Sequence, residues 1–444
     1  MNDRPDFEAM LERRLRAHAA TAVRPVPALE IVRSTMWAAA TPVVRTSAGA
    51  GPRRPALMVG LAAVLLLAAV AGAALIGGRP APIQGVFVDG PSLVDRQIRS
   101  AIALPDGRVL LGVDSDKSVI PGTTTLQCAA PCGPHLMLLD PRTGTFTQSA
   151  PPPPSFAVES MALLQDGRVL IVNGARQGLN TPSAAIYDPV ADRFDAVGAP
   201  RRARMQPLLV TLADGRVLVC GGDGGAPLAT AELFDPRTGT FSRTGSMDRP
   251  RSGGMIATLL ADGRVLVVGS VMEVGTSAEL YDPVIGTFTR TGPMTAARGG
   301  FFTATLLPDG RVLVAGGLIS APAQLPTVPD GTAAAEVYDP ATGTFSAVEP
   351  MAAPRFMHAA SILPDGTVLI AGGVHELPPS RLPAVASDAE IFDPATGTFR
   401  ATGSLVRPRV SPIALSVDER VLVLGSLDVF GNDPDTSAST EWFQ

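Results

Sequence analysis

Residues 301–317 read Phe301-Phe302-Thr303-Ala304-Thr305-Leu306-Leu307-Pro308-Asp309-Gly310-Arg311-Val312-Leu313-Val314-Ala315-Gly316-Gly317. An apolar run meets Asp309-Gly310, a second apolar run follows, and two glycines close it. Asp-Gly between apolar runs signals a two-residue hairpin, because a type I′ turn needs positive φ at both central positions. The spacing predicts one strand over 300–307 and a second over 311–315. The second is apolar nearly throughout, as suits a strand covered on both faces. Beyond a variable stretch, Ala335–Pro340 reads as a third strand, 341–344 as a turn and Phe345–Val348 as a fourth. Pro340 cannot donate to a ladder and so marks a strand end.

The phrase recurs. Asp-Gly-Arg-Val-Leu stands at 106–110, 166–170, 214–218, 262–266 and 309–313, followed by Asp365-Gly366-Thr367-Val368-Leu369 and Asp418-Glu419-Arg420-Val421-Leu422. A period near fifty residues without helical patterning is the mark of a radial β-array. The predicted fold is all-β, a seven-bladed β-propeller of four-stranded blades. The seventh copy ends at Thr440-Glu441-Trp442-Phe443-Gln444, where only a third strand fits, while Gly85-Val86-Phe87-Val88-Asp89-Gly90 reads as a stray fourth strand. The N-terminal strand is therefore expected to complete the last blade, removing two exposed sheet edges.

Further landmarks keep a fixed order. Glycine pairs stand at 221–222, 316–317 and 372–373. Leu139-Asp140-Pro141, Tyr187-Asp188-Pro189, Phe234-Asp235-Pro236, Tyr281-Asp282-Pro283, Tyr338-Asp339-Pro340 and Phe392-Asp393-Pro394 close the third strands. Phe146, Phe194, Phe241, Phe288, Phe345 and Phe399 open the fourth. Over residues 84–444 these features resemble the kelch repeat, in the bacterial form related to the central domain of galactose oxidase. Two departures stand out: Phe replaces the Trp common in kelch fourth strands, and single glycines at Gly174, Gly269 and Gly425 replace the pair. The resemblance implies a propeller that binds through its loop-bearing face. It also brings to mind a copper site of two Tyr, one joined to a Cys, and two His. Tyr187, Tyr281 and Tyr338 all belong to the third-strand phrase, and no set here matches those ligands, so no cofactor and no metal site are expected.

The chain has 444 residues, 46% of them hydrophobic and 17% charged, with a formal net charge of −5 and no basic run. Nucleic acid is not an expected partner. Residues 56–78, ALMVGLAAVLLLAAVAGAALIGG, carry no charge and are long enough to cross a bilayer as a helix. Residues 1–55 hold nine Arg against five acidic residues, and residues 79–444 are net acidic. The positive-inside rule then puts the N-terminus in the cytoplasm. A lead of this length argues for an uncleaved signal anchor over a signal peptide. The expected organisation is a cytosolic segment over 1–55 with two short amphipathic helices and a linker, one transmembrane helix over 56–78, and a propeller over 79–444 in the extracytoplasmic space at the cell membrane.

Repeated acids read as scaffold. Asp140, Asp188, Asp235, Asp282, Asp339 and Asp393 precede prolines in turns, where a carboxylate accepts the N–H two residues on. Glu232, Glu279, Glu336, Glu390 and Glu441 recur on the third strand. Arg96, Arg204, Arg251, Arg298, Arg355 and Arg409 each lie nine to eleven residues before the hairpin aspartate, and the second blade has Ser155-Phe156 there instead. Two uses fit. The guanidiniums ring the channel mouth and bind carboxylate, phosphate or sulfate groups, or each pairs with an acid of the adjacent blade. The first use makes these six the candidate ligand-binding residues. Cys128 and Cys132, in the first long loop, are a candidate disulfide, with two free thiols as the alternative. Cys220 reads as a buried thiol, and His358 and His375 as ordinary histidines of one blade.

No nucleophile elbow, phosphate loop or other catalytic set is present. The expected function is non-enzymatic: a membrane-anchored binding or scaffold module for an extracytoplasmic protein or acidic glycan. The alternative is a transmembrane signalling regulator resembling the anti-sigma layout, in which residues 1–55 meet a cytosolic protein and the propeller senses outside. An enzyme on the channel face ranks last.

Overall fold

The computed structural model describes residues 85–444 except 94–95, 116, 120–125, 129–134, 154–155, 157, 159, 174–181, 271–273, 320–329, 378–381 and 426–438. The helices expected over 1–55, the span expected over 56–78 and Cys132 lie outside the described residues. Within them, no helix is long and apolar enough to cross a membrane.

The described residues form seven four-stranded antiparallel sheets. Sheet 1 holds Arg96–Ala103, Val109–Ser115, His135–Asp140 and Thr145–Gln148; sheet 2 holds Ser160–Leu163, Val169–Asn173, Ser183–Asp188 and Arg193–Ala196. Leu208–Thr211, Val217–Cys220, Ala231–Asp235 and Thr240–Arg243 make sheet 3, and Ile256–Leu259, Val265–Val268, Ala278–Asp282 and Thr287–Arg290 make sheet 4. Sheet 5 is Thr303–Leu306, Val312–Ala315, Ala335–Asp339 and Thr344–Ala347; sheet 6 is Ala359–Ile362, Val368–Ala371, Ala389–Asp393 and Thr398–Ala401. Sheet 7 joins Ile413–Val417, Arg420–Leu424 and Thr440–Phe443 to the N-terminal strand Phe87–Asp89. First strands of successive sheets touch, and the first strand of sheet 7 touches that of sheet 1. This cyclic contact makes the fold a β-propeller.

Each second strand is buried along its length, as in Val217–Cys220, Val265–Val268 and Val312–Ala315. The apolar cores lie between sheets: Tyr281 of sheet 4 packs with Leu218 and Cys220 of sheet 3, and Tyr338 of sheet 5 with Leu266 and Val268 of sheet 4. Within a sheet, the aromatic of the third strand meets the Phe of the fourth, with ring centroids 4.7–5.0 Å apart.

The hairpin differs from the sequence expectation. Gly310 N–H donates to Leu307 O and Leu307 N–H to Arg311 O, so Pro308-Asp309-Gly310 is a three-residue loop. Of these three, only Gly310 has positive φ (86°). The same bonds recur around Gly107, Gly167, Gly215, Gly263 and Gly366. This is a tight turn followed by a glycine in the left-handed region. The type I′ geometry occurs in the seventh copy, where Asp418 (φ 45°) and Glu419 (φ 64°) both take positive φ between paired Val417 and Arg420.

The expected closure is present. Phe87 pairs with Phe443, Val88 with Trp442 and Asp89 with Glu441. The Phe87 and Phe443 rings are buried with centroids 4.9 Å apart. Truncating a buried Phe typically costs about 3–5 kcal/mol. Phe443→Ala should therefore lower the denaturation midpoint and expose residues 85–90 to protease first; simultaneous loss of all seven sheets without early N-terminal cleavage would argue against this strand as the weak seam.

Candidate functional site

Chain direction puts two sets of connections on one face: those between second and third strands, and those leading from a fourth strand into the next sheet. The repeated arginines enter on the latter. Five of them are fully described, and all are buried: Arg204 and Arg251 at 1–2% exposure and Arg298, Arg355 and Arg409 at 0%. Each meets the third-strand glutamate of its own sheet: Arg204–Glu232 at 3.1 Å, Arg251–Glu279 at 3.0 Å, Arg298–Glu336 at 3.0 Å, Arg355–Glu390 at 2.9 Å and Arg409–Glu441 at 2.8 Å. The guanidiniums also donate to Gly221 O, Gly269 O, Gly316 O, Gly372 O and Gly425 O at the ends of the second strands.

The other carboxylate oxygen fixes the incoming chain. Arg201, Asp248, Thr295, Ala352 and Val406 each donate a backbone N–H to it. The arginine backbone ties to the preceding sheet: Arg251 N–H donates to Leu228 O, Arg298 to Gly275 O, Arg355 to Thr332 O and Arg409 to Ala386 O. In return Gly222, Gly317 and Gly373 donate to the carbonyls of Arg251, Arg355 and Arg409. The first glycine of the pair, which sheets 4 and 7 also keep as Gly269 and Gly425, is thus required: a Cβ on Gly316 would lie 2.5 Å from Arg355 O.

This corrects the reading of Arg204, Arg251, Arg298, Arg355 and Arg409 as ligand-binding residues. Their forks are engaged inside the protein and none faces solvent; Nε of Arg204 and of Arg355 is buried without a hydrogen-bond partner among the described residues. Pairing also runs within the sheet, whereas an acid of the adjacent blade was expected; only the backbone of the node reaches the neighbour. Arg96 lies in the first strand of sheet 1, with its Cα opposite Ser115; its side chain is outside the described residues, as is that of Cys128. The six pre-proline aspartates behave as expected, each accepting the N–H two residues on.

Two residues before the first strands of sheets 3 to 7, on this same face, lies a feature the sequence did not announce. Gln206 (φ 49°), Phe301 (φ 58°), Met357 (φ 55°) and Ser411 (φ 50°) occupy the left-handed region, with Gly254 (φ 58°) at the same position of sheet 4. Met357 N–H donates to Phe301 O, and Ser411 N–H to Met357 O, linking sheets 5, 6 and 7 into a collar. Strained backbone of this kind persists only where the surroundings fix it.

His358 follows Met357 and is buried. Its Nε2 lies 3.0 Å from Thr303 Oγ1, and Nδ1 has no partner. Burial, with Arg355 and Arg298 nearby, lowers its pKa to about 3. His375 is paired by backbone with Arg355, and its Nδ1 lies 3.6 Å from Asp388. The two rings do not converge on one point with a third ligand: among the described residues, no group of three or more His, Cys, Asp or Glu is placed to hold a metal ion.

Comparison with known proteins agrees with this geometry. A model of the kelch motif matches residues 208–248, which span sheet 3. A fungal alcohol oxidase of the AA5 family, solved in complex with copper, superposes with a TM-score of 0.60 at 18% identity, covering 81% of this chain and 75% of that one. The structure of YjhT aligns at 14% identity with a TM-score of 0.47, over 66% of this chain and 94% of that one. No curated protein sequence matches the chain. The motif match and the superposition on the oxidase support a kelch β-propeller. They carry the fold alone.

The copper ligands that the fold brings to mind do not fit the residues present. The hydroxyls of Tyr187, Tyr281 and Tyr338 bond Asp192, Thr244 and Thr291 beside the fourth strands. Cys220 is fully buried in sheet 3, its thiol pushed up to about 12 by burial. His358 directly precedes the first strand of sheet 6, and His375 lies in Val374–Leu377 of a small three-stranded sheet formed with Arg355–Phe356 and Leu382–Val385.

Two tests follow. Arg298→Met leaves Glu336 buried without its cation and should cost about 3–5 kcal/mol, whereas Arg298→Met with Glu336→Leu should recover most of it; equal losses in denaturant melts would sink the node as described. His358 has a folded pKa below its unfolded value of 6.5. Its contribution is therefore complete above pH 6.5 and is lost as pH falls toward 3. Between pH 7.5 and 5 the wild-type melting temperature should fall more than that of His358→Gln; parallel curves would remove His358 as the cause.

Proposed function

We propose that this chain is a seven-bladed kelch propeller, held at the cell membrane through residues 56–78 with the propeller outside, that serves as a non-enzymatic binding or scaffold module for a protein or acidic glycan. One observation carries the reading. Large differences in length fall at one face, while the opposite face varies only by the shortened turn at Asp418-Glu419. The turns between third and fourth strands cover four residues in every sheet from 1 to 6 (141–144, 189–192, 236–239, 283–286, 340–343, 394–397). Connections between second and third strands run from nine residues to nineteen: 116–134, 174–182, 221–230, 269–277, 316–334, 372–388 and 425–439.

A ring that keeps the turns of one face nearly constant and lengthens the connections of the other has the layout of a recognition surface on a scaffold. The repeated arginines serve the ring, so selectivity in this reading belongs to the loops. The long 316–334 connection enters beside Phe301 of the collar: Gly299 N–H donates to Leu318 O and Leu318 N–H to Gly300 O. The same face therefore joins the strained collar to the longest loops.

The full chain in detergent, screened on an array of acidic and neutral glycans and on envelope proteins, should bind a ligand. Replacing 318–333 by the shorter 271–276 should abolish that binding without changing the melting temperature. Alkaline carbonate should leave the chain in the membrane pellet and release it once 56–78 are deleted. Ligand binding indifferent to grafts of all the long connections would overturn the recognition reading, and carbonate release of the intact chain would overturn the anchor.

A further inference from the structure

Five sheets share the arginine–glutamate node, and in each the node presents two surface positions. One is the residue whose N–H caps the glutamate, with its neighbour. The other is the fourth-strand residue opposite that glutamate. In sheet 4 they are Asp248-Arg249 and Arg290, and Asp248 forms an ion pair with Arg290. In sheet 7 they are Val406-Arg407 and Asp89, and Arg407 lies 4.0 Å from Asp89. Sheet 5 has Thr295 and Ala347, and sheet 6 has Ala352 and Ala401. Opposite charges or uncharged residues thus fill four of the five.

Sheet 3 breaks the rule. Arg201-Arg202 caps Glu232, and Arg243 stands opposite it. All three arginines are exposed, and none donates a side-chain hydrogen bond or joins an ion pair among the described residues. Glu232 gives no relief, because it is 3% exposed and already holds Arg204 and the Arg201 N–H. Sheet 4 shows that side chains at these positions reach each other. Sheet 3 therefore brings like charges together where its neighbour makes a salt bridge, an arrangement that costs energy until an anion enters.

We propose that Arg201, Arg202 and Arg243 form an anion-recognition site, at the rim of the loop-bearing face, for the sulfate or carboxylate groups of an acidic glycan. The proposal rests on the binding-module reading above and names its ligand class. Guanidinium forks match both groups bidentately. The site is open and unwalled, so a small free anion would meet the cations one at a time, whereas a polyanionic chain engages all three. None of the large exposed hydrophobic residues, Val86, Val190, Val284, Ile285, Ile319 and Val406, belongs to the patch. An apolar anchor of the kind protein interfaces favour is thus missing among them. The propeller is net acidic, so the patch stands out against its surroundings.

The test uses the full chain in detergent with heparin oligosaccharide, polygalacturonate and neutral dextran. Binding is expected to heparin, polygalacturonate or both, but not to dextran, and should weaken as salt screens the contact. Arg201→Asp copies sheet 4: it should pair with Arg243, lower polyanion affinity by roughly tenfold or more, and hold or raise the melting temperature. Arg243→Gln should weaken binding with no loss of stability, and Arg290→Gln should leave binding unchanged. Polyanion binding untouched by Arg201→Asp and Arg243→Gln would overturn the site while leaving the module reading intact. Absence of polyanion binding would also overturn it. Failure of the loop grafts to affect any ligand bears on the module reading instead.

Discussion

The buried arginine–glutamate pair is the constraint on which the ring depends. A guanidinium and a carboxylate removed from water cost several kcal/mol each, and their attraction offsets that only when every remaining polar atom is bonded. Here the sheet supplies most of the partners, leaving Nε of Arg204 and of Arg355 without one among the described residues. The second strand ends in a carbonyl that accepts from the arginine, and the glutamate's second oxygen accepts from the incoming backbone. A chain entering the sheet in any other register would bury an unpaired charge. The node therefore acts on register as much as on stability, and its backbone bonds to the preceding sheet extend that register around the ring.

A second set of repeats works at the opposite face. Arg108, Arg216, Arg264 and Arg311 each hold their own hairpin aspartate and donate to the carbonyl of Pro189, Pro283, Pro340 or Pro394 in the next sheet. The hydroxyls of Tyr281 and Tyr338 bond Thr244 and Thr291 of the preceding sheet. Each surface pair in isolation is weak. Their recurrence at successive seams is what matters, since it leaves the two faces bonded and the apolar ribbons between them dry. Where the pattern lapses in sheet 7, Arg420 lies 4.2 Å over the Trp442 ring instead.

Much of this was legible because repetition converts spacing into geometry. Period, strand order, aspartate turns and closure by residues 85–90 all follow from landmarks that recur. The role of the arginines did not, because spacing gives a position along the chain and no depth. One signal would have settled it. Arginine and glutamate are absent together from sheet 2, where Phe156 and Ala185 stand at or near the two positions, and present together in sheets 3 to 7. Sheet 1 has Arg96 but Met137 in the glutamate position. Co-occurrence across repeats points to partnership within a sheet. The collar was hidden for a different reason: Gln, Phe, Met and Ser carry no sequence mark of positive φ, which here is imposed by bonds between sheets.

Function in a repeat protein is best sought where the repeat is broken without a structural gain. A residue present at every seam has its polar groups consumed by the seam, and a ligand would have to compete with an intramolecular partner already in place. A residue that departs from its equivalents is free of that duty. Asp418 and Glu419 depart by shortening a turn, and the geometry accounts for them. Arg201 and Arg243 depart by removing an ion pair and adding repulsion, and among the described residues no acid pairs with them. The long connections depart by length, adding chain beyond the few backbone groups, such as Thr332 O and Ala386 O, that the ring uses. These two departures share one face, which is why recognition is assigned there and not to the interior arginines that first drew attention to it.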